Sequence, residues 1–223
     1  MQKCLTMTIL LLGATGRTGK WILQDALERG HTVQVLVRDR KKIGQTGGRL
    51  IVFEGLPTDT GALEQAAQGC EAVISALNIS RTSDFPWSKL RTPPELLSDT
   101  MRVLIPVCEK QFIGRIIICS AWGVAETRQE IPGWFRWFID HSNIGAAYTD
   151  HERQEKLLQQ SSLDWTIVRP TGLTNSRKEK QVRISINGHP KPALTISRLN
   201  LARFMVAQLE TRGYVRQAIT VSQ

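Results

Sequence analysis

The run Gly13-Ala14-Thr15-Gly16-Arg17-Thr18-Gly19 places glycines at its first, fourth and seventh positions. It follows directly on an apolar stretch, residues 8–12. It leads into a segment whose Ile22, Leu23, Ala26 and Leu27 recur at helical spacing. A strand, a glycine-rich turn and a helix in that order aim free amides at a bound anion from the helix N-terminus. The first glycine permits the tight turn, the second admits a diphosphate to the backbone, and the third lets the helix pack closely. Residues 8–40 are therefore expected to bind a dinucleotide, with Gly13, Thr15, Gly16, Arg17, Thr18 and Gly19 around its phosphates.

Which dinucleotide is read at the end of the second strand, where an acid would hold a ribose 2′-hydroxyl and a cation a 2′-phosphate. Here the chain reads Leu36-Val37-Arg38-Asp39-Arg40-Lys41-Lys42. Arg38 comes first, and Arg17 stands in the glycine loop itself. Two guanidiniums can grip a phosphate through charge-assisted hydrogen bonds. NADP(H) is the expected cofactor and NAD(H) the less favoured one, with Asp39 as the argument for NAD(H).

Such a loop needs a sheet behind it, and the pattern along the chain supplies one. Apolar strands are expected at 8–12, 32–37, 49–53, 72–76, 114–120 and 165–169, with helices at 18–29, 61–68, 94–110 and 150–160 between them. Near-continuous β-branched runs separated by helices are what a parallel sheet covered on both faces requires. Short strands at 182–186, 194–196 and 218–221 and a helix at 200–209 close the chain. Residues 132–147, with Trp134, Phe135, Trp137 and Phe138, read as a loop-like insertion. The expected architecture is α/β: a Rossmann-type, doubly wound parallel sheet with helices on both faces and a small C-terminal extension on the substrate side. One domain, 1–223, accounts for the length.

Composition narrows the partners. Hydrophobic residues make up 41% and charged residues 22% of 223, which indicates neither disorder nor a membrane class. No apolar run approaches the ~18 residues of a membrane span. Residues 1–7 imitate the start of a secretion signal, but the apolar stretch after them runs straight into the glycine loop, so a buried first strand explains it better. Cys4, Cys70, Cys108 and Cys119 show no paired spacing, which suits a reducing cytoplasm better than disulfides or zinc. The net charge of +9 is spread along the chain without a basic block. It fits a field for a phosphorylated cofactor and an anionic small-molecule substrate, and no nucleic-acid partner is expected.

Several stretches carry a family likeness. They are the glycine loop with Leu36-Val37-Arg38-Asp39, Gly69-Cys70-Glu71-Ala72-Val73-Ile74-Ser75-Ala76, Cys119-Ser120-Ala121, Asp150-His151, and residues 157–170, which end Trp165-Thr166-Ile167-Val168-Arg169-Pro170. Together they resemble the atypical short-chain dehydrogenase/reductases. Within these the chain looks most like the NAD(P)H-binding group around biliverdin reductase B, a flavin reductase, and the NmrA-like proteins. The resemblance implies that Ala76, Leu77 and Asn78 lie along the adenosine ribose and diphosphate, and that Ser120 faces nicotinamide and substrate. It also implies that Pro170, Thr171, Gly172 and Leu173 meet the carboxamide through backbone groups. Two departures stand out. Gly55-Leu56 replaces the family's Gly-Asp at the adenine. The Tyr-x-x-x-Lys pair of the classical members falls on Ala147 and His151, with Tyr148 one residue late and Glu152 four residues after it.

Hydride transfer is the cofactor's chemistry, and the protein supplies orientation and charge. An acceptor whose product anion is delocalised, such as a flavin, quinone or linear tetrapyrrole, can take its proton from water and needs no tyrosine acid. Ser120, His151 and Tyr148 are the catalytic candidates, His151 because an ordinary imidazole titrates near ~6.5. A helix histidine without chemistry and a strand-capping serine are their structural alternatives. The aromatic cluster at 134–138 is either a lid for a planar substrate or packing of the insertion onto the core. The expectation is an NADPH-dependent reductase of a small conjugated or carbonyl acceptor. The alternative is a non-catalytic NADP-binding redox sensor of the NmrA-like kind.

Overall fold

A computed structural model describes residues 6–44 and 47–223. The signal-like residues 1–5, including Cys4, lie outside the described residues. The first strand β1 (Thr8–Leu12) leads through the glycine loop into α1 (Gly19–Glu28), and β2 (Thr32–Val37) and β3 (Leu50–Glu54) follow. Then come α2 (Thr60–Ala67), β4 (Ala72–Ser75), α3 (Leu96–Lys110) and β5 (Arg115–Cys119). Two adjoining helices, α4 (Gly133–Asp140) and α5 (Ile144–Gln159), precede β6 (Asp164–Pro170) and the short β7 (Gly172–Thr174). The chain ends with β8 (Arg183–Ser185), β9 (Thr195–Ser197), α6 (Arg198–Thr211) and β10 (Gln217–Ser222).

The main sheet has the order β3-β2-β1-β4-β5-β6-β10-β8, and β7 pairs with β9 in a separate two-stranded ribbon. Every pairing in the main sheet is parallel except β10 with β8. Alternation along each strand builds two cores. Ile9, Leu11, Val33 and Val35 meet Ile22 and Ala26 of α1 and Leu201 and Met205 of α6 on one face. Leu10, Leu12, Val73 and Ile116 meet Leu63 of α2, Met101 and Leu104 of α3 and Leu158 of α5 on the other. The fold is the expected Rossmann-like, doubly wound one. Strand order reverses between β1 and β4, so the glycine loop and the end of β4 border the crevice where such sheets bind ligands.

Two expectations need correction. Residues 132–147 are not loop-like: they form α4 and the first turn of α5. Phe135 and Ile139, four residues apart, turn inward onto Trp122, Ile131 and Tyr148, and that spacing is helical. The helix expected at 150–160 consequently starts at Ile144. The ribbon strand β7 was not foreseen, because three residues are too few to show a period. No helix among the described residues is long and apolar enough to cross a membrane.

Candidate functional site

The glycine loop is a close meeting of backbones. Gly13 has φ +82°, and a Cβ there would sit 2.8 Å from the carbonyl carbon and oxygen of Ala76. A Cβ on Gly19 would lie 2.0 Å from the Gly13 carbonyl oxygen. The Gly16 amide donates to that same carbonyl at 2.9 Å, closing the turn. Among the described residues, the amides of Thr15, Arg17 and Thr18 find no acceptor. They sit at the mouth of α1, and Thr18 offers no side-chain cap to replace an anion. The residues at the end of β4 are graded from half-buried Ala76 and Leu77 to exposed Asn78.

At the end of β2, the expected cation and its acidic rival are both accounted for. Arg38 is exposed and makes no hydrogen bond or ion pair among the described residues. Asp39 accepts from the Lys41 amide at 3.0 Å and caps the short 3₁₀ turn Arg40–Lys42. Arg17 is not free. Its guanidinium makes a two-pronged pair with Asp84, at 3.0 and 2.9 Å. After β3, Leu56 is exposed, and Asp59 caps α2 by accepting from the Ala62 amide at 2.8 Å.

Asp84 belongs to a feature that sequence reasoning missed. Residues 80–92 form a hairpin-like excursion pinned at its neck, where the Arg91 amide donates to Ser80 O at 2.8 Å and the Thr82 amide to Lys89 O at 2.9 Å. From Asp84 on the glycine loop, the excursion runs to an aromatic shelf. Phe85 packs on Trp87 at 5.3 Å between ring centroids, and Trp87 on Phe138 of α4 at 5.6 Å. Trp87 Nε1 donates to His141 O at 2.7 Å, and Asn143 Nδ2 donates back to Trp87 O at 2.9 Å. Trp134 and Trp137 stay 68% and 52% exposed, so the α4 aromatics divide between core and surface.

At the end of β5, Ser120 is buried and its Oγ has no partner among the described residues. His151 and Tyr148 lie on neighbouring faces of α5. Burial pushes the His151 imidazole down to about 4, which keeps it neutral at physiological pH. Its Nδ1 lies 2.6 Å from Gln154 Nε2, so Nδ1 accepts and the ring proton sits on Nε2. Tyr148 donates to Trp122 O at 3.3 Å, and burial pushes its hydroxyl up to about 12. It borders a cavity of about 420 Å³ with Arg128 and Glu152. Asp150, next to His151, is structural: it accepts from the Leu97 amide at 2.7 Å and from Ser98 Oγ at 2.5 Å, capping α3.

The helix that carries these groups is fixed by a second feature that went unforeseen. Arg169 of β6, 1% exposed, bonds Glu155 of α5 at 3.0 and 2.5 Å and Glu126 at 2.5 Å. A charge inside the run Trp165-Thr166-Ile167-Val168-Arg169 was the available signal, since a buried cation needs a partner. Beyond it, the backbone of the 170–173 stretch is largely committed. Pro170 O accepts from Trp122 N at 3.0 Å, Thr171 N donates to Val221 O at 3.1 Å, and Gly172 N donates to Leu194 O at 2.9 Å. Leu173 lies in β7 beside Ile196 of β9.

A family model described as NAD(P)H-binding matches residues 13–212. The reductase pytE of Aspergillus terreus is 22% identical, over 96% of this chain and 97% of its own. Among solved structures, a short-chain dehydrogenase/reductase of Veillonella parvula in complex with NADP gives a TM-score of 0.76 at 21% identity, over 97% of this chain and 94% of that one. An anaerobilin reductase of Escherichia coli O157:H7 gives 0.79 at 20% identity, over 96% of each chain.

Proposed function

The chain belongs to the NAD(P)H-binding family, and from that premise we propose that it is an NADPH-dependent reductase of a small conjugated or carbonyl acceptor. The observation that carries this reading is the glycine loop with its acceptor-free amides at Thr15, Arg17 and Thr18, together with Arg38, which has no ion pair among the described residues. Those donors fit a diphosphate and a 2′-phosphate. Asp39, spent on its own turn, leaves the 2′ position to a cation and favours NADP(H) over NAD(H). The orphaned Ser120 Oγ fits a carboxamide or an acceptor oxygen at the far end of the same crevice. Bound there, the cofactor would supply a hydride.

What the chain's own residues contribute is orientation and a dry, polar wall. Ser120 offers a hydrogen bond to the acceptor. Neutral His151 offers the Nε2 proton as a hydrogen-bond donor and is not an imidazolium acid at neutral pH. Tyr148, tied to Trp122 O and with its pKa raised, does not donate a proton at neutral pH. An acceptor that is protonated from water suits that wall: a flavin, quinone or tetrapyrrole type. The aromatic shelf of Phe85, Trp87 and Phe138 is a stacking surface for such a ring system. The fold likeness to an anaerobilin reductase is in keeping with this substrate class. Buried free thiols at Cys70 and Cys108 agree with a reducing compartment, and we place the protein in the cytoplasm.

The same idle Tyr148 and neutral His151 favour a second reading, a redox sensor that binds NADP(H) without turnover. NADPH oxidation followed at 340 nm with flavins, quinones and aldehydes separates the two. Turnover of any of these acceptors supports the reductase, and tight NADPH binding with no turnover sinks it. The cofactor argument has its own test: Arg38→Ala lowers the preference for NADPH over NADH about tenfold, the loss of one charge-assisted phosphate contact. An unchanged preference would refute it.

A further inference from the structure

Three arginines are buried among the described residues, and they are neutralised in different ways. Arg169 has two glutamates. Arg115, the first residue of β5, donates to the carbonyls of Asp164 and Gln208 at the end of the sheet away from the glycine loop. Arg198, the first residue of α6 and 8% exposed, donates through Nη1 to Asn175 Oδ1 at 2.7 Å and to Leu173 O at 3.3 Å. No carboxylate among the described residues comes within bridging distance of it. A guanidinium this buried with only neutral acceptors is incompletely compensated.

Its surroundings are cationic as well. The Arg17–Asp84 pair lies close enough that Arg17 presses the Arg198 pKa down, after desolvation, while Asp84 raises it. Arg81 also acts on Asp84. One carboxylate thus serves three guanidiniums, where the glycine loop, the 80–92 excursion and the β7–β9 ribbon converge. The excursion carries that carboxylate beside Phe85, the first ring of the aromatic shelf. The cofactor's phosphates already have the loop amides and Arg38.

We propose that Arg198, backed by Arg81, is the specificity-determining subsite for an anionic group, carboxylate or phosphate, carried by the planar acceptor. This rests on the reductase reading and narrows its substrate class to acidic conjugated rings. The shelf stacks the ring, and Arg198 holds the acid by a fork that a lysine does not reproduce.

The test uses the full chain with paired probes that differ only in charge: flavin mononucleotide against riboflavin, and biliverdin against its dimethyl ester. In NADPH-dependent assays, Arg198→Met raises KM for an acidic probe tenfold or more. It leaves the neutral partner and the Kd for NADPH within about twofold, since the guanidinium's charge matters only to a ligand that carries the opposite charge. Response of the flavin mononucleotide arm identifies phosphate, and response of the biliverdin arm carboxylate. Equal effects on charged and neutral probes overturn the proposal, as does a loss confined to NADPH affinity, which would assign Arg198 to the cofactor. Should Arg198→Met fold poorly, Arg198→Lys keeps the charge and gives a smaller rise of the same selectivity. If the wild type turns over no probe, the reductase reading has failed. Tryptophan quenching by each probe pair then decides the anion subsite on its own: a tighter acidic probe, weakened by the variant, supports it, and equal affinities overturn it.

Discussion

On the glycine-loop side of the crevice, backbone meets backbone: a Cβ on Gly19 would touch the Gly13 carbonyl, and one on Gly13 the end of β4. On the opposite side the walls are held by side chains that reach across the sequence. Arg169 spans 43 residues to Glu126, Ser98 spans 52 to Asp150, and Trp87 spans 54 to His141. The first kind of site tolerates no added atom at Gly13 or Gly19, and its glycines fall within seven consecutive residues. The second can be varied residue by residue, because each tie stabilises a wall without forming the wall itself. Arg17–Asp84 is where the two sides meet.

The sharpest way to break the contrast is Gly19→Ala. With 2.0 Å to a backbone oxygen, helix and loop must separate, and the expected result is a loss of NADPH affinity beyond a hundredfold with about 3 kcal/mol or more of stability. Calorimetric titration that found near-normal affinity would show the loop to be no tighter than the rest of the crevice. Next comes Arg169→Met, which strands Glu155, itself 2% exposed, without its cation. Urea denaturation should show a loss of about 3–5 kcal/mol. Glu126→Gln, at a glutamate 58% exposed, should cost at most about 1 kcal/mol. Equal losses would mean that the buried and exposed arms of this network do not differ as their burial says.

His151 gives a smaller effect with a definite pH signature. Its folded-state value of about 4 lies below the 6.5 of an unperturbed imidazole, so the folded state resists protonation. The stability this contributes is complete above pH 6.5 and is lost as pH falls towards 4. Melting temperatures of His151→Gln should therefore depend less on pH across that window than those of the wild type, with little difference at pH 8. Parallel curves would remove the buried, neutral histidine. Smallest of all is Tyr148→Phe. A hydroxyl tied to Trp122 O and raised to about 12 is structural, so turnover stays within about threefold and stability falls by about 1 kcal/mol. A collapse of kcat at unchanged KM would return Tyr148 to the catalytic group.

Sequence reasoning fared differently in the two regions, for the same physical reason. The β1–loop–α1–β2 unit was legible because its signals are local: an apolar strand, glycines at fixed offsets and a helical stripe, all within thirty residues. Across the crevice, the aromatic run at 134–138 was visible but its helix was not, since aromatic residues are weak helix formers and the inward pair Phe135 and Ile139 is short. Ser120 and His151 fall on the expected elements, Tyr148 falls on a turn of α5 that begins before the expected helix, and only packing shows that Tyr148 is tied down and His151 is kept neutral. The excursion at 80–92, with Asp84 and the aromatic shelf, gave no periodic signal at all.

The amino-acid order by itself determined the strand and helix sequence, the two-faced sheet and the glycine cradle, because each depends on residues close together in the chain. Tertiary structure alone decided which charges are paired. It set Asp84 on Arg17, gave Asp39 to its own turn, joined Arg169 to two glutamates and, among the described residues, left Arg38 and Arg198 without a carboxylate in bridging distance. Those outcomes depend on distances of a few ångströms between residues tens of positions apart, and charge in a sequence carries no record of what it will face. The glycine loop is thus written locally, and what reaches it from across the crevice is settled by the fold.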